Sequence, residues 1–391
     1  MVWRTTTVLV AVLLATTHSF GILPLGGPDE RGAGQAGMAM AMAAVQEVGS
    51  IGQTVGQSMP DTVDGLLDRI FVRIEAQQLD AALALAEQLV ERYPKHRLGH
   101  LIKGDLLSAQ MQSIEGFGAA GAPAERIAEL QAEAMVRLHS YRERPPAGYV
   151  PRHLIKMAPE QSHAVVVDAS RSRLYLFKNE GGFPLLVADY YVTQGELGID
   201  KFREGDKKTP LGVYRVNRTV PKDQLIDLYG SAAFTLNYPN AWDRQRGRGG
   251  SGIWLHGTQS DTFARPPLAS KGCIVLTNPD IDAVSAHLQD GVTPVIISDK
   301  VEWVSKSQWQ HEREALVGLL DAWRADDKNA RLGIDADKLS IFRNPGKEEV
   351  LVVNFEQVRH GSAGVGANSQ KKVQYWMHEV GGWKIVYEDQ A

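Results

Sequence analysis

The sequence predicts a multidomain chain with an α-helical N-terminal segment, a central mainly-β domain and a C-terminal α+β domain. Three observations carry this. Apolar residues recur at helical spacing across residues 61–145. The dipeptide Pro145-Pro146 then breaks the helical pattern, and short strand-like runs separated by turn residues take over. After Trp303 one more helical period is followed by four strand-like runs. A length of 391 residues agrees with several domains at roughly 150 residues each.

Composition narrows the function classes. Hydrophobic content of 43% and charged content of 23% fit a folded chain with large cores. The net charge of −4 leaves no basic field to hold nucleic acid, which is excluded as a partner. A single cysteine, Cys273, excludes a disulfide scaffold.

Residues 1–20 read as a signal peptide or anchor, with Arg4 ahead of the apolar run Val8 to Ala15. That run is short of the roughly 20 residues that span a bilayer. No A-x-A cleavage site follows it, so a retained segment would leave an inner-membrane anchor. Either way the chain is expected to be exported to the periplasm or cell envelope. Residues 21–60, rich in Gly, Ala and Met, read as a flexible linker.

From Asp61, placed to cap a helix, Val63, Leu66, Leu67, Ile70 and Ile74 share one face. A second helix carries Ala82, Ala86, Leu89 and Tyr93 and stops at Pro94. A third runs through Leu98, Leu101, Ile102 and Leu106, and a fourth through Ile127, Leu130, Ala134 and Leu138. The order from Ala82 to Pro94 and Gly104 resembles one tetratricopeptide unit, which cannot bury its face alone. Residues 61–145 are therefore a helical spacer, or a surface for homodimerisation or for a protein partner.

The central region opens as a meander. Val165 to Val167 lead into a turn at Asp168-Ala169-Ser170, Arg173 to Lys178 alternates, and Gly181-Gly182 turns the chain into Leu185 to Val192. Further strands are expected at Gly212 to Val216, Gly252 to His256, Gly272 to Leu276 and Val295 to Ile297. A helix from Pro279 to Leu288 is expected with Asn278 as its cap and Gly291 after it. In the tail, Trp309 to Ala325 reads as a helix with Leu316, Leu319, Leu320 and Trp323 on one face. Strands follow at Leu339 to Phe342, Val350 to Val358, Lys372 to Val380 and Trp383 to Glu388, the last two joined by Gly381-Gly382. Tyr375, Trp376, Trp383 and Tyr387 are expected to pack a core, with a glycan- or peptide-binding concavity as the alternative.

The chemistry centres on Cys273. In an oxidising compartment an unpaired thiol is a liability unless it is buried or used. His256 ends one expected strand and Cys273 opens the next, 17 residues later. Neighbouring strands joined by a loop would set imidazole against sulfur, and a charged imidazole would lower the thiol pKa. Gly272 permits close backbone approach, and the N–H groups of Gly272 and Cys273 would line an oxyanion hole. The residues alone thus read as cysteine–histidine acyl transfer. Arg244, Arg246 and Arg248 sit among glycines in a rim loop where they would meet substrate carboxylates, while Lys207 and Lys208 read as solvated surface. No HExxH, P-loop or dinucleotide fingerprint occurs, so neither metal nor cofactor is expected. His163 and His360 read as surface residues.

His256-Gly257-Thr258, the 17-residue interval and Ser270-Lys271-Gly272-Cys273 resemble the YkuD-type L,D-transpeptidase signature, in which His-Gly is followed by Ser-His-Gly-Cys. Thr209-Pro210-Leu211-Gly212 with Tyr214 resembles the family's Thr-Pro-x-Gly strand, and Asn237-Tyr238-Pro239-Asn240 its substrate-side loop. The likeness covers Ala164 to Asp299, within a catalytic domain set at residues 160–300. Two departures stand out. Lys271 replaces the histidine before Gly-Cys, and Val275 replaces an arginine that would supply a bidentate carboxylate clamp. The tail, residues 303–391, resembles an NTF2-like domain. The three-part order resembles the cell-shape-determining L,D-carboxypeptidases.

The resemblance implies that Cys273 attacks the carbonyl of the L-centre of diaminopimelate in a peptidoglycan stem peptide and expels D-alanine. His256 would move the proton, Gly272, Lys271, Ser270 and Gly257 would shape the motif, and Thr209, Pro210, Tyr238 and Arg248 would face substrate. An amine acceptor gives a cross-link, making an L,D-transpeptidase. Water gives an L,D-carboxypeptidase or a wall-lipoprotein hydrolase. An inactive wall-binding scaffold is the non-enzymatic alternative, and the presence of both His256 and Cys273 argues against it.

Overall fold

Four helices open the computed structural model, which describes residues 62–111, 118, 123–326, 333–359 and 368–390. The signal-like segment, the linker, Asp61 and His360 lie outside these residues. Helices α1 (Val63–Glu75), α2 (Leu79–Arg92), α3 (Arg97–Met111) and α4 (Ala124–Arg142) bury Leu66, Leu67, Ile70, Leu89, Leu98 and Ala134 completely. The cap of α1 is Thr62, whose hydroxyl accepts the Gly65 N–H at 3.2 Å.

The helical unit faces the central domain through charge as well as apolar contact. Arg137 of α4 donates to Glu133 and to Asp64 of α1, each at 2.8 Å. Two short strands follow the helices, β1 (Val150–Pro151) and β2 (Leu154–Lys156). The meander β3 (His163–Asp168), β4 (Arg173–Glu180) and β5 (Phe183–Tyr191) comes next. Arg173 of β4 reaches Asp64 at 2.6 Å and also pairs with Asp189, while the Arg137 guanidinium lies 3.8 Å from the Tyr191 ring centre. Burial alone would raise the Asp64 carboxyl, but Arg173 and Arg137 hold it at about 2. This face of the helical unit is therefore closed within the chain.

The central domain continues through β6 (Gln194–Gly195), β7 (Gly212–Thr219), β8 (Ala233–Leu236), the short helix α5 (Ala241–Gln245), β9 (Trp254–His256), β10 (Leu268–Ser270, which pairs with β6 in a sheet of their own) and β11 (Ile274–Val275). Helix α6 (Asn278–Ser285) and β12 (Pro294–Ser298) follow. The eight strands of the larger sheet run in the order β11-β9-β8-β7-β12-β3-β4-β5. The sheet is mixed: β12 lies parallel to β3 and antiparallel to β7, so the meander continues into a crossover. Alternate residues of β3 serve two cores. Val165 and Val167 join the layer under α6, whereas Ala164 and Val166 meet the C-terminal domain.

That domain comprises β13 (Trp303–Val304), α7 (Lys306–Ala325), β14 (Ser340–Arg343), β15 (Val350–Arg359), β16 (Asn368–Glu379) and β17 (Gly382–Gln390). Its sheet runs β17-β16-β15-β14-β2, so the boundary expected near Trp303 needs correction: Leu154 to Lys156 supply the fifth strand from upstream. Three residues carry too little periodicity to announce a strand whose partner lies 180 or more residues away. Tyr375 and Trp376 are buried on opposite faces of this sheet, the first against Trp242 of α5 and the second against Trp323 of α7. Both pack cores, as the composition led us to expect. Among the described residues no helix is long and apolar enough to cross a membrane.

Removing one member of the buried charge cluster leaves its partners with fewer compensating charges. Arg137→Met, which leaves Asp64 with Arg173 alone and Glu133 with His96 alone, is expected to cost about 3–5 kcal/mol in the first urea unfolding transition. A loss below about 1 kcal/mol would show that the cluster does not hold the helical unit in place. Because Asp64 is depressed from 3.8 to about 2, its contribution should be present above pH 4 and vanish as the pH falls toward 2.

Candidate active site

Strands β9 and β11 run parallel, with Leu255 opposite Ile274 and His256 opposite Val275. Ile253, Leu255, Ile274 and Leu276 point into the core beneath the sheet. The pleat therefore turns Trp254, His256 and Cys273, which immediately precedes β11, to the other side. Strand pairing thus places thiol and imidazole on the same side of the sheet.

The turn that carries Cys273 is tied from within. Ser270 Oγ accepts the Gly272 N–H at 3.0 Å and donates to the Cys273 carbonyl at 2.6 Å. Thr209 Oγ1 donates to the Gly272 carbonyl and accepts the Gly195 N–H, both at 2.9 Å. Gly272 has φ +122°, and a Cβ there would stand 2.7 Å from the Lys208 carbonyl oxygen, so only glycine fits. Two expectations change here. The Gly272 N–H is engaged by Ser270, which leaves only the Cys273 N–H of the two expected oxyanion donors. Thr209 braces the turn from behind, and Pro210 beside it is buried. Lys271 is exposed.

His256 Nδ1 lies 2.7 Å from the Gly257 carbonyl oxygen and donates to it, which leaves Nε2 as the acceptor. The Gly257 N–H donates to the Tyr229 and Ala232 carbonyls at 2.9 and 3.1 Å, and the Tyr229 ring meets His256 edge-on at 5.1 Å. Asn278, expected to cap α6, does something else. Its Oδ1 accepts the N–H groups of Ser231 and Thr258 at 3.1 and 3.0 Å, fixing the chain just after the histidine. Thr277 is the cap, its hydroxyl accepting the Asp280 N–H at 3.2 Å. A Cβ on Gly257 would lie 2.2 Å from Asn278 Oδ1, which explains that glycine.

Burial pushes the Cys273 thiol up, opposed by the Trp254 amide and by the charges of Arg265 and Lys201. Burial also pushes His256 down to about 4, against the bond to Gly257 and aided by Arg265. Both groups therefore rest neutral near pH 7, with the thiol donating to the Gly252 carbonyl at 3.3 Å. The charged-imidazole pairing expected from the residue types is overturned by desolvation, which penalises both ions at once.

The remaining candidates brace loops. Tyr238 is buried, donates its hydroxyl to the Gly249 carbonyl at 2.8 Å and precedes a cis peptide to Pro239. Arg248 donates to Asp200 at 2.6 Å and to the Lys201 carbonyl at 2.8 Å. Arg244 and Arg246 reach Asp389 and Glu348 of the C-terminal domain. None of these arginines presents a free fork to the cleft, in contrast to the rim-loop expectation. Arg265, which belongs to no motif, is instead the cation whose charge acts on both Cys273 and His256. Among the described residues no three His, Cys, Asp or Glu side chains are grouped to hold a metal.

A family model described as YkuD, L,D-transpeptidase catalytic domain, matches residues 162–297. These residues form a YkuD-type L,D-transpeptidase catalytic domain. The putative L,D-transpeptidase YafK of Escherichia coli K12 is 36% identical over 100 residues, which cover 25% of this chain and 36% of YafK. The chain thus spans about a third of that relative. Bd1075 of Bdellovibrio bacteriovorus shares the fold with a TM-score of 0.51 at 24% identity, covering 62% of this chain and 98% of that one. That span exceeds the YkuD domain. The helical cell shape determining protein Pgp2 of Campylobacter jejuni superposes with a TM-score of 0.49 at 21% identity, over 61% of this chain and 95% of its own.

A neutral resting pair has measurable consequences for the YkuD domain. Alkylation of Cys273 by iodoacetamide should climb with pH through a midpoint above that of an ordinary cysteine; a rate already flat at pH 7 would mean a preformed thiolate. Since His256 stays neutral down to about pH 4, the acid limb of kcat/KM should fall below pH 5 and not near 6.5.

Proposed function

We propose that the protein is an exported cysteine L,D-transpeptidase acting on peptidoglycan stem peptides. The observation that carries this is the placement of Cys273 and His256 on one side of paired strands, with His256 Nε2 the free acceptor. Sγ attacks the carbonyl of the L-centre of diaminopimelate while Nε2 takes the thiol proton. The C–S bond forms, the C–N bond to D-alanine breaks, and the proton passes to the leaving amine. The Cys273 N–H faces the developing oxyanion. The amine of a second stem then attacks the thioester and regenerates the thiol. Arg4 and the apolar run Val8 to Ala15 support export to the periplasm or cell envelope. Helix α7 beside a five-stranded antiparallel sheet supports an NTF2-like reading of that domain.

Water as the acceptor is the second reading, and one observation favours it. Val275 is only 1% exposed, so the cleft has no guanidinium at that position to hold a second stem's carboxylate.

Protein lacking residues 1–20, incubated with disaccharide tetrapeptide, should yield dimers missing one D-alanine. Tripeptide without dimer would establish water as the acceptor. Cys273→Ala should abolish either product, and His256→Ala should slow turnover by about 10²–10⁴-fold. Product formation that persists in Cys273→Ala would end the acyl-enzyme reading.

A further inference from the structure

Arg265 lies in the loop between His256 and Cys273 and is half-buried, yet no carboxylate among the described residues pairs with it. Its backbone is firmly held. The Tyr191 and Thr193 hydroxyls donate to its carbonyl at 2.8 and 3.0 Å, and Gln194 N–H donates to the Pro267 carbonyl at 2.8 Å. Two residues upstream, Phe263 packs against Tyr93 and His96 of the helical unit at 5.0 and 5.4 Å. The guanidinium donates one Nη2 hydrogen to the Leu228 carbonyl at 3.0 Å. Leu228 adjoins Tyr229, whose ring meets His256 edge-on at 5.1 Å, so the guanidinium is tied to the segment that packs on the histidine. Lys201, the other cation felt by Cys273, is engaged by Asp206 and the Arg203 carbonyl.

A partly desolvated guanidinium without a counter-ion is costly, and its fork is shaped for a carboxylate. The substrate offers one nearby. His256 returns its proton to the leaving amine, and the α-carboxylate of the departing residue is two bonds from that nitrogen. We propose that Arg265 is the specificity-determining residue that binds the free α-carboxylate of the residue to be released, confining the enzyme to stem peptides with an unblocked C-terminus. This assignment rests on the acyl-transfer reading above and places the carboxylate anchor on the loop before Cys273, away from Val275.

The test compares disaccharide tetrapeptide with the same compound bearing a C-terminal carboxamide, using wild type, Arg265→Met and Arg265→Lys. Wild type should favour the acid by about 10–100-fold in kcat/KM. Arg265→Met should bring the ratio to within about threefold, with Arg265→Lys between them because an ammonium lacks the planar fork. A ratio unchanged in Arg265→Met, or absent in wild type, would overturn the assignment. So would equal losses on both peptides accompanied by slower iodoacetamide labelling of Cys273, since Arg265 would then act through the thiol. If Arg265→Met does not fold, Arg265→Lys carries the comparison, and a ratio equal to wild type would refute the anchor. Wild type that turns over neither peptide would end the acyl-transfer reading itself, an outcome distinct from turnover without discrimination.

Discussion

Strands β3 and β12 are apolar on both faces, and the architecture follows from having to cover both. Val165, Val167, Val295 and Ile297 need one layer, while Ala164, Val166 and Ile296 need another. Helix α6 and the inward side of β9 and β11 close the first, and the C-terminal sheet closes the second. A sheet covered on both faces has no solvated side, so the candidate catalytic groups emerge at its margin, where β9 and β11 are short. Two or three residues per strand suffice there because the pleat has only to fix which side each residue takes.

The same burial sets the chemistry. Apolar surroundings around β9 and β11 disfavour thiolate and imidazolium alike, so the resting site stores its reactivity as geometry: a base with one nitrogen tied to Gly257 and a sulfur touching Gly252. In the mechanism we propose, charge appears only with substrate, at the moment the proton moves. Tying Nδ1 through an adjacent backbone carbonyl, with no acidic third member, is consistent with a base whose orientation matters more than its charge.

Much of this was legible in the sequence. The strand alternation around Val165 and Arg173, the Gly-Gly hairpin before Trp383, and the His-Gly and Ser-x-Gly-Cys segments are local signals, read from a handful of adjacent residues. What escaped depended on distant partners. Asn278 looks like a cap because it precedes Pro279, yet its oxygen is drawn away to Ser231 and Thr258, 47 and 20 positions off in sequence. Thr209 looks like a substrate group until its hydroxyl is seen closing the Gly272 turn from 63 residues away. Arg265 carries no pattern at all, and only the lack of a carboxylate paired with it among the described residues sets it apart. Pairing of Cys273 with a charged histidine was inferred from residue types, which say nothing about how much water a folded cleft retains.

The loop that carries Arg265 leaves the YkuD domain to find its packing. Phe263 sits among Tyr93 and His96 in the helical core, and Lys95 donates to the Ser260 carbonyl. Tyr191 joins the loop to the buried arginine that anchors α4. The stretch matched by the family model, residues 162–297, is therefore smaller than the unit whose packing shapes the cleft. Inheritance and cooperativity draw their borders in different places along this polypeptide, and the residues between His256 and Cys273 belong to both.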